Sequence, residues 1–276
     1  MSDVEKWCPE PLWLLAQPLL PDAPQRHQCG GRRRLDDRMV LAAILYVLQT
    51  GCAWSALPSS FGVSCPTAHR RFTEWVEADV FARLHQVMLD LLGVVGSIDW
   101  SRASVDSMHV RAVKGDLTGP SPVDRGKPGS KIHAISDRGG LPLAVGVSAA
   151  NRNDHLELET IVDAVIPVKG PAGRPRRRPR KLHADKGYDY PACRKALRRR
   201  GIIARIARRG IESPKRLGRH RYVIERTLEW VSRFRRLARR YERKAAHFTA
   251  FAQLACAVIC YRRAVKLDLL THYNPK

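Results

Sequence analysis

The chain has 276 residues, 44% of them hydrophobic, and a formal net charge of +23. This apolar content supports a packed core and argues against a generally disordered chain, and the length fits one large or two modest domains. So large a positive charge predicts a polyanionic partner, with nucleic acid first and an anionic membrane second.

Cysteine usage and the start of the chain indicate the compartment. The seven cysteines are scattered without a CxxC pair, a pattern that favours neither a disulfide framework nor a zinc module. Acidic and tryptophan-containing sequence follows Met1 directly, so no signal peptide is expected. The apolar runs look too short or too interrupted to span a bilayer. We therefore expect a cytoplasmic protein without membrane contact.

The first hundred residues are predicted to be helical. RMVLAAILYVLQTG forms an apolar helix that stops at Gly51. WSALPSSFG predicts a short helix and a turn, followed by a helix that begins at Pro66 and by another in FARLHQVMLDLLG. This order is typical of a helix-turn-helix, in which the start of the second helix meets DNA, although small helical bundles share it. The candidate DNA-contacting residues are Thr67, His69, Arg70 and Arg71.

From Ile98 the pattern changes to strands. ASVDSMHV, SKIHAISD and LPLAVGVSAA predict three of them, with a hairpin turn at DRGG. A helix in HLELETIVDAVIPV follows, then strands in KLHADKG and IIARIAR with a helix between them, and two closing helices, the first from about Tyr222 to Arg240. The order predicts an α/β fold in which helices cover a mixed five-stranded sheet. The intervening KGPAGRPRRRPRK is either a solvated linker or a phosphate-contacting loop.

These changes of pattern divide the chain into three parts. Residues 1–97 are predicted to form an all-α, helix-turn-helix-like DNA-binding domain. Residues 98–265 form the α/β catalytic domain, and residues 266–276 form a C-terminal tail.

Three acidic residues stand out in this basic chain. Asp106 and Asp185 lie on or at the end of predicted strands, and Glu225 lies in a strongly basic predicted helix. Strand ends hold carboxylates rigidly, and three carboxylates close together repel one another unless they are protonated or bridged by cations. The set predicts a site for two Mg²⁺ ions, for which Mn²⁺ would substitute, suited to displacement at a phosphodiester.

Each of these acids also has a purely structural explanation. Asp106 fits a strand-end turn, Asp185 fits a helix N-cap, and Glu225 fits an ion pair with Arg221 or Arg226.

Other acids compete for the same roles. Glu229, one helical turn beyond Glu225, is the strongest substitute for it. Asp137 fits a hairpin turn, Asp154 fits the N-cap of the following helix, and Asp189 is close enough to Asp185 to support it.

Several motifs taken together resemble a known family. VDSMHVRA, GPSPVDRGKPGSKIH, AANRNDH, GRPRRRPRKLHADKGYD and RYVIERTLEWVSRFRRLARRYER follow in this order. The set is similar to the DDE transposases of the insertion-sequence-five family, over about residues 30 to 265. The resemblance implies a ribonuclease-H-like catalytic core and a bacterial, nucleoid-associated protein. It implies that the catalytic and metal-binding acids are Asp106, Asp185 and Glu225.

The resemblance also bears on DNA contacts. It places Arg221 and Glu225 in an R-x-x-x-E signature and makes basic side chains candidates for gripping DNA. Gly218 and Ser232 stand where related transposases have a tyrosine and a lysine, so the contacts assigned to those residues are not carried over. The further DNA-binding candidates are Arg125, Lys127, Lys131, Arg221 and Arg226.

The expected activity is that of an insertion-sequence transposase. Such a protein would bind terminal inverted repeats as a homodimer, cut double-stranded DNA and transfer the 3′-hydroxyl end to target DNA. Two alternatives stay open: a helix-turn-helix regulator that uses only DNA binding, and a nuclease or degenerate transposase without strand transfer.

Overall fold

The structure, a computed structural model, describes residues 2–23, 34–210 and 214–270, with the backbone alone for 214–221. Before residue 103 the described part is helical, as predicted, with two short helices, α1 (Asp3–Trp7) and α2 (Glu10–Ala16), followed by three longer ones. The longer helices are α3 (Asp37–Thr50), α4 (Cys65–Glu77) and α5 (Val80–Val94).

Local sequence explains the limits of α3. The carboxylate of Asp36 accepts a hydrogen bond from the backbone N–H of Arg38, which caps the start of the helix. Gly51 ends it with a left-handed φ of 70°, a conformation that glycine adopts without strain. The WSALPSSFG segment forms two 3₁₀ turns, Trp54–Ala56 and Ser59–Phe61, where one short helix was predicted.

A mixed sheet occupies the second part of the chain. The five main strands are β1 (Ala103–Ala112), β3 (Pro128–Asp137), β4 (Pro142–Ala149), β5 (Lys181–Ala184) and β6 (Ile203–Ile206). Their order is β4-β3-β1-β5-β6, with β4, β3 and β1 antiparallel and β1, β5 and β6 parallel. Two-residue strands β2 (Gly119–Pro120) and β7 (Arg239–Arg240) are additions that the sequence did not predict. The predicted mixed five-stranded sheet is confirmed.

Helices cover both faces of this sheet. They are α6 (Asp154–Asp163), α7 (Pro191–Arg199), α8 (Pro214–Ser232), α9 (Arg235–Ala238) and α10 (Ala245–Lys266). The helix predicted from about Tyr222 to Arg240 is therefore two helices that break after Ser232. The hydroxyl of Ser232 donates to the carbonyl of Glu229 at 2.8 Å, a side-chain bond that competes with continued helix formation.

The helical region and the sheet share one hydrophobic core. A continuous cluster of buried side chains runs from Cys8 in the first helices to Leu270. Helix α10 packs against both α5 and β4, and Phe251 stacks on Phe72 of α4 with ring centroids 4.4 Å apart. The division of the chain at residue 97 into a DNA-binding and a catalytic domain stays a prediction.

Helix α10 corrects one expectation drawn from the sequence. By length and composition its 22 residues are long and apolar enough to cross a membrane, with a mean hydropathy of 1.2 in the apolar window. The judgement that every apolar run is too short was therefore wrong. The fold buries 67% of that window, including the free thiols of Cys256 and Cys260, so the helix serves as part of the core.

Candidate active site

The first two acids stand on neighbouring parallel strands. Ala103 pairs with Leu182 and Ser104 with His183. The same register, continued two residues along both chains, sets Asp106 beside Asp185, which directly follows β5. Adjacent strands lie about 4.8 Å apart, so the two half-buried carboxylates lie side by side, with Asp106 inside β1 and Asp185 just past the end of β5. The first and fourth main strands are thus neighbours.

Helix α8 lies over the face of the sheet that carries these acids. Asp106 pairs with Ala134 across β1 and β3, so the two side chains project to the same face, together with Met108 two residues along. Ile224 and Leu228 of α8 pack on Ala134 and Met108. Glu225 follows Ile224 on this helix and is exposed.

Backbone groups orient one oxygen of each aspartate. The N–H of Ser107 donates to Oδ1 of Asp106 at 2.8 Å, and the N–H of Gly187 donates to Oδ1 of Asp185 at 2.8 Å. Asp185 thereby caps the 3₁₀ turn Lys186–Tyr188, so its predicted capping role is present. The cap and a ligand role are compatible because a carboxylate has two oxygens.

A buried tyrosine, Tyr188, lies near the two aspartates. Burial raises the pKa of Tyr188 far above its usual value, and the negative charges of Asp154, Asp106 and Asp185 raise it further. Among the described residues its hydroxyl has no hydrogen-bond partner. Nothing in the sequence pattern selects Tyr188, although this residue closes the DKGY segment that carries Asp185.

The described residues include no group of three or more His, Cys, Asp or Glu side chains gathered closely enough to hold a metal ion. Asp106 and Asp185 fit a hard divalent cation by chemistry and by register. Glu225 lies on α8, the helix over the same face. The first two predicted acids thus stand side by side, and the third stands on the helix above them.

The competing acids have other partners. Asp137 is buried and accepts N–H groups of Asp99 and Leu141, which confirms its hairpin role. Asp189 pairs with Arg194 at 2.6 Å, and Glu229 pairs with Arg233 at 2.6 Å.

Asp154 departs from the predicted N-cap role. Asn153 occupies the cap position, and Asp154 is the first residue of α6. Its carboxylate accepts hydrogen bonds from Lys131 at 2.9 Å and from the hydroxyl of Ser107 at 2.9 Å. Because Ser107 is the neighbour of Asp106, this cluster supports β1 from the opposite face of the sheet, a role that spacing along the chain did not reveal.

The candidates at the start of α4 separate into exposed and buried residues. His69 and Arg70 are exposed, and Thr67 is half-buried with its hydroxyl accepting from Ser64. Arg71 is 3% exposed and pairs with Asp37 of α3 at 2.8 Å. The prediction that Arg71 contacts DNA is corrected, because its guanidinium is enclosed between two helices and is neutralised there.

The basic residues that follow β2 also divide into exposed and buried ones. Arg125 and Lys127 are exposed in the turn that precedes β3. Lys131 is 5% exposed, and its ammonium donates to Asp154 and to the carbonyl of Arg152 at 2.8 Å. A direct grip on DNA by Lys131 is therefore corrected to a structural role, since its donors are used inside the fold.

The two arginines beside Glu225 are placed differently. The side chain of Arg221 lies outside the described residues. Arg226 is half-buried, its guanidinium lies 5.0 Å from the Trp230 ring, and it donates to the carbonyl of Gly139 at 2.8 Å.

Two family models match the chain. Residues 9–85 match the family described as "Putative transposase of IS4/5 family", and residues 95–260 match the family described as "Transposase DDE domain".

Two proteins of Burkholderia cepacia are similar in sequence. "Putative transposase for insertion sequence element IS402" is 46% identical over 151 residues, covering 55% of this chain and 72% of the relative. "Insertion element IS402 uncharacterized 16.2 kDa protein" is 43% identical over 114 residues, covering 40% and 78%.

A solved structure, "Mos1 transposase paired-end complex with left transposon end", is 12% identical with a TM-score of 0.26, covering 87% of this chain and 82% of that one. A likeness this weak does not bear on function.

Proposed function

We propose that this chain, which belongs to the IS4/5 family of transposases with a DDE domain, cuts DNA at the ends of an insertion sequence. It would then join the freed 3′-hydroxyl to target DNA. The observation that supports this most directly is the register of β1 and β5, which sets Asp106 beside Asp185 on neighbouring parallel strands. Both steps are in-line displacements at phosphorus, so one set of acids would serve both.

The acids would act as ligands for divalent cations. Asp106 and Asp185 offer hard oxygens, and Glu225, on the helix over the same face, would be the third ligand. Bound Mg²⁺ ions would supply activation of the attacking oxygen and stabilisation of the leaving oxygen, with Mn²⁺ as a substitute. The backbone N–H groups of Ser107 and Gly187 would hold each aspartate in one orientation during both steps.

Double-stranded DNA would be the partner, as element ends and as target. The net charge of +23 supports attraction to phosphates, and Arg70, Arg125 and Lys127 present exposed cations to it. Two element ends must be brought together, so we also propose a homodimer. The place of action would be the bacterial cytoplasm, at the nucleoid.

Asp185→Asn tests the catalytic assignment. Asparagine keeps an oxygen that accepts the Gly187 N–H and removes the charge that a cation needs. We expect the variant to bind terminal-repeat duplexes as the wild type does and to lose cleavage in Mg²⁺ buffer. Asp189→Asn is the matched control, because it removes a carboxylate four residues away that pairs with Arg194. Cleavage by Asp185→Asn at the wild-type rate would refute the assignment.

Two further assays separate the alternatives. Pre-cut ends, mixed with target DNA and Mg²⁺, give joined products with a transposase and none with a nuclease that lacks strand transfer. A helix-turn-helix regulator would retain full activity with Asp106, Asp185 and Glu225 all replaced.

A further inference from the structure

A cationic pocket lies apart from the acids. Its volume is about 490 Å³, and it opens between α8, α10 and the turn that joins β3 to β4. Gly139, Leu141 and Ile259 contribute to its walls. Its basic and aromatic lining residues are Arg226, Trp230, Arg233, Arg262, Arg263 and Lys266. Of these, only Arg226 was singled out by the sequence.

The positive charge of this pocket is only weakly compensated. Arg233 pairs with Glu229, but both side chains are more than half exposed, and such surface pairs contribute little. Among the described residues no carboxylate forms an ion pair with Arg263 or Lys266, and both are exposed. The pocket therefore presents several cations whose charge is available to a ligand.

The spacing of the cations suits a repeating anion. Arg263 and Lys266 are three residues apart on α10, which is about 4.5 Å along the helix. Successive nucleotides of one strand rise about 3.4 Å each in duplex DNA, so neighbouring phosphates of one strand lie within reach of the two side chains. Trp230 adds an apolar wall beside these charges, against which a sugar can pack.

The distance from the acids follows from the strand register. Asp106 pairs with Ala134, and β3 runs on to Asp137 before the turn that contains Gly139. At about 3.4 Å per residue, the pocket begins roughly 10 to 15 Å from Asp106. That separation corresponds to about three to four nucleotides of a strand whose reacting phosphate lies at the acids.

We infer that this pocket binds the phosphodiester backbone of duplex DNA about three to four base pairs from the phosphate that reacts, an inference that rests on the proposed function. The contact is to the backbone and carries no sequence information. It would hold the flanking duplex in line with the acids and would contribute equally on element ends and on unrelated DNA.

The test uses Arg263→Ala/Lys266→Ala in the full chain. Both side chains are exposed, and alanine favours the helix, so the fold is expected to persist. Losing two phosphate contacts should lower the slope of log K against log salt by about 2 and the affinity by roughly 30-fold at about 0.15 M salt. Lys195→Ala/Arg198→Ala on α7 is the control, because it removes the same charge from another exposed helix.

Trimmed duplexes locate the contact. On one of two duplexes, each trimmed to about two base pairs beyond the reacting phosphate on one side only, the pocket variant and the wild type should bind equally. Equal losses in the pocket and control variants would mean a net-charge effect and would overturn the inference. So would unchanged salt dependence with intact circular dichroism, or displacement of the pocket-dependent binding by inorganic phosphate at constant ionic strength.

The binding readout is independent of the chemistry. Suppose that the wild-type protein binds DNA with a steeper salt dependence than the pocket variant and does not cut it. The proposed function then fails, while the assignment of the pocket as a DNA-backbone site is kept. If the wild-type protein cuts DNA and the pocket variant binds as the wild type does, only the pocket assignment fails.

Discussion

The guanidinium of Arg226 donates a hydrogen bond of 2.8 Å to the carbonyl oxygen of Gly139. The next residue, Thr227, donates from its hydroxyl to the carbonyl of Gly140, also at 2.8 Å. These two bonds fasten α8 to the turn between β3 and β4. Because β3 pairs with the strand that carries Asp106, the turn sets where α8, and with it the third acid, stands above the sheet.

Gly140→Ala should disturb that attachment. Gly140 has a φ of 91°, and an added Cβ would lie 3.0 Å from the Arg226 guanidinium and 3.3 Å from the Thr227 hydroxyl. Forcing an L-residue into this conformation costs about 1 to 2 kcal/mol. We expect lower stability in urea unfolding together with slower DNA cleavage by the folded variant.

Gly201→Ala is the control for backbone strain alone. Gly201 has a φ of 66°, and its added Cβ would make only an ordinary contact with Arg178. We expect it to lose a similar stability, about 1 to 2 kcal/mol, without losing cleavage. Equal cleavage by the two variants under folding conditions would contradict a positioning role for the turn.

Replacing Glu225 and Glu229 one at a time tests the choice of the third acid. Glu225→Gln should abolish cleavage and preserve DNA binding, because the amide is a poor ligand for Mg²⁺ and keeps the side-chain shape. Glu229→Gln should cut normally, since it removes only an exposed pair with Arg233, which contributes less than about 1 kcal/mol. A reversed outcome in cleavage assays would move the third acid to Glu229.

Adjacent arginines in α4 give a second matched pair. Arg71→Ala removes the closer of the two arginines that pair with Asp37 and leaves Arg34 at 3.6 Å, so we expect a loss of about 1 to 3 kcal/mol in urea unfolding. Arg70→Ala should leave stability unchanged and lower the salt slope of DNA binding by about 1. A wild-type salt slope for Arg70→Ala would remove this residue from the DNA interface.

Histidine burial predicts sensitivity to acid. Burial lowers the pKa of His85 from 6.5 to about 4, opposed in part by its bond of 2.9 Å to the carbonyl of Pro142. Below pH 6.5 the unfolded chain binds a proton that the folded chain refuses until about pH 4. The contribution of His85 to the free energy of unfolding is thus full above pH 6.5. It falls as the pH drops toward 4, by about 2 kcal/mol at about pH 5.

Urea unfolding at neutral pH and at about pH 5 measures this loss. His85→Gln keeps an N–H that can reach Pro142 and does not titrate, so its stability should decline by about 2 kcal/mol less than that of the wild type between the two conditions. An identical decline in both proteins would show that His85 does not contribute to the acid sensitivity.

Much of the fold followed from local patterns. The stop of α3 at Gly51, the three antiparallel strands and the turn at DRGG are all present where the sequence predicted them. Glycine conformation, alternation of apolar residues and turn chemistry act over a few residues, so they can be read along the chain. The sequence did not predict the break after Ser232, whose hydroxyl donates to the carbonyl of Glu229.

The sequence was enough to predict a basic protein with an α/β sheet and three acids that stand out among basic residues. Which of its basic side chains are exposed to a partner follows only from the tertiary structure. Arg71 and Lys131 look like their exposed neighbours in sequence, yet each is buried against a remote carboxylate, of Asp37 and of Asp154. Burial and pairing depend on which elements pack together, and the core that joins residues from Cys8 to Leu270 sets that.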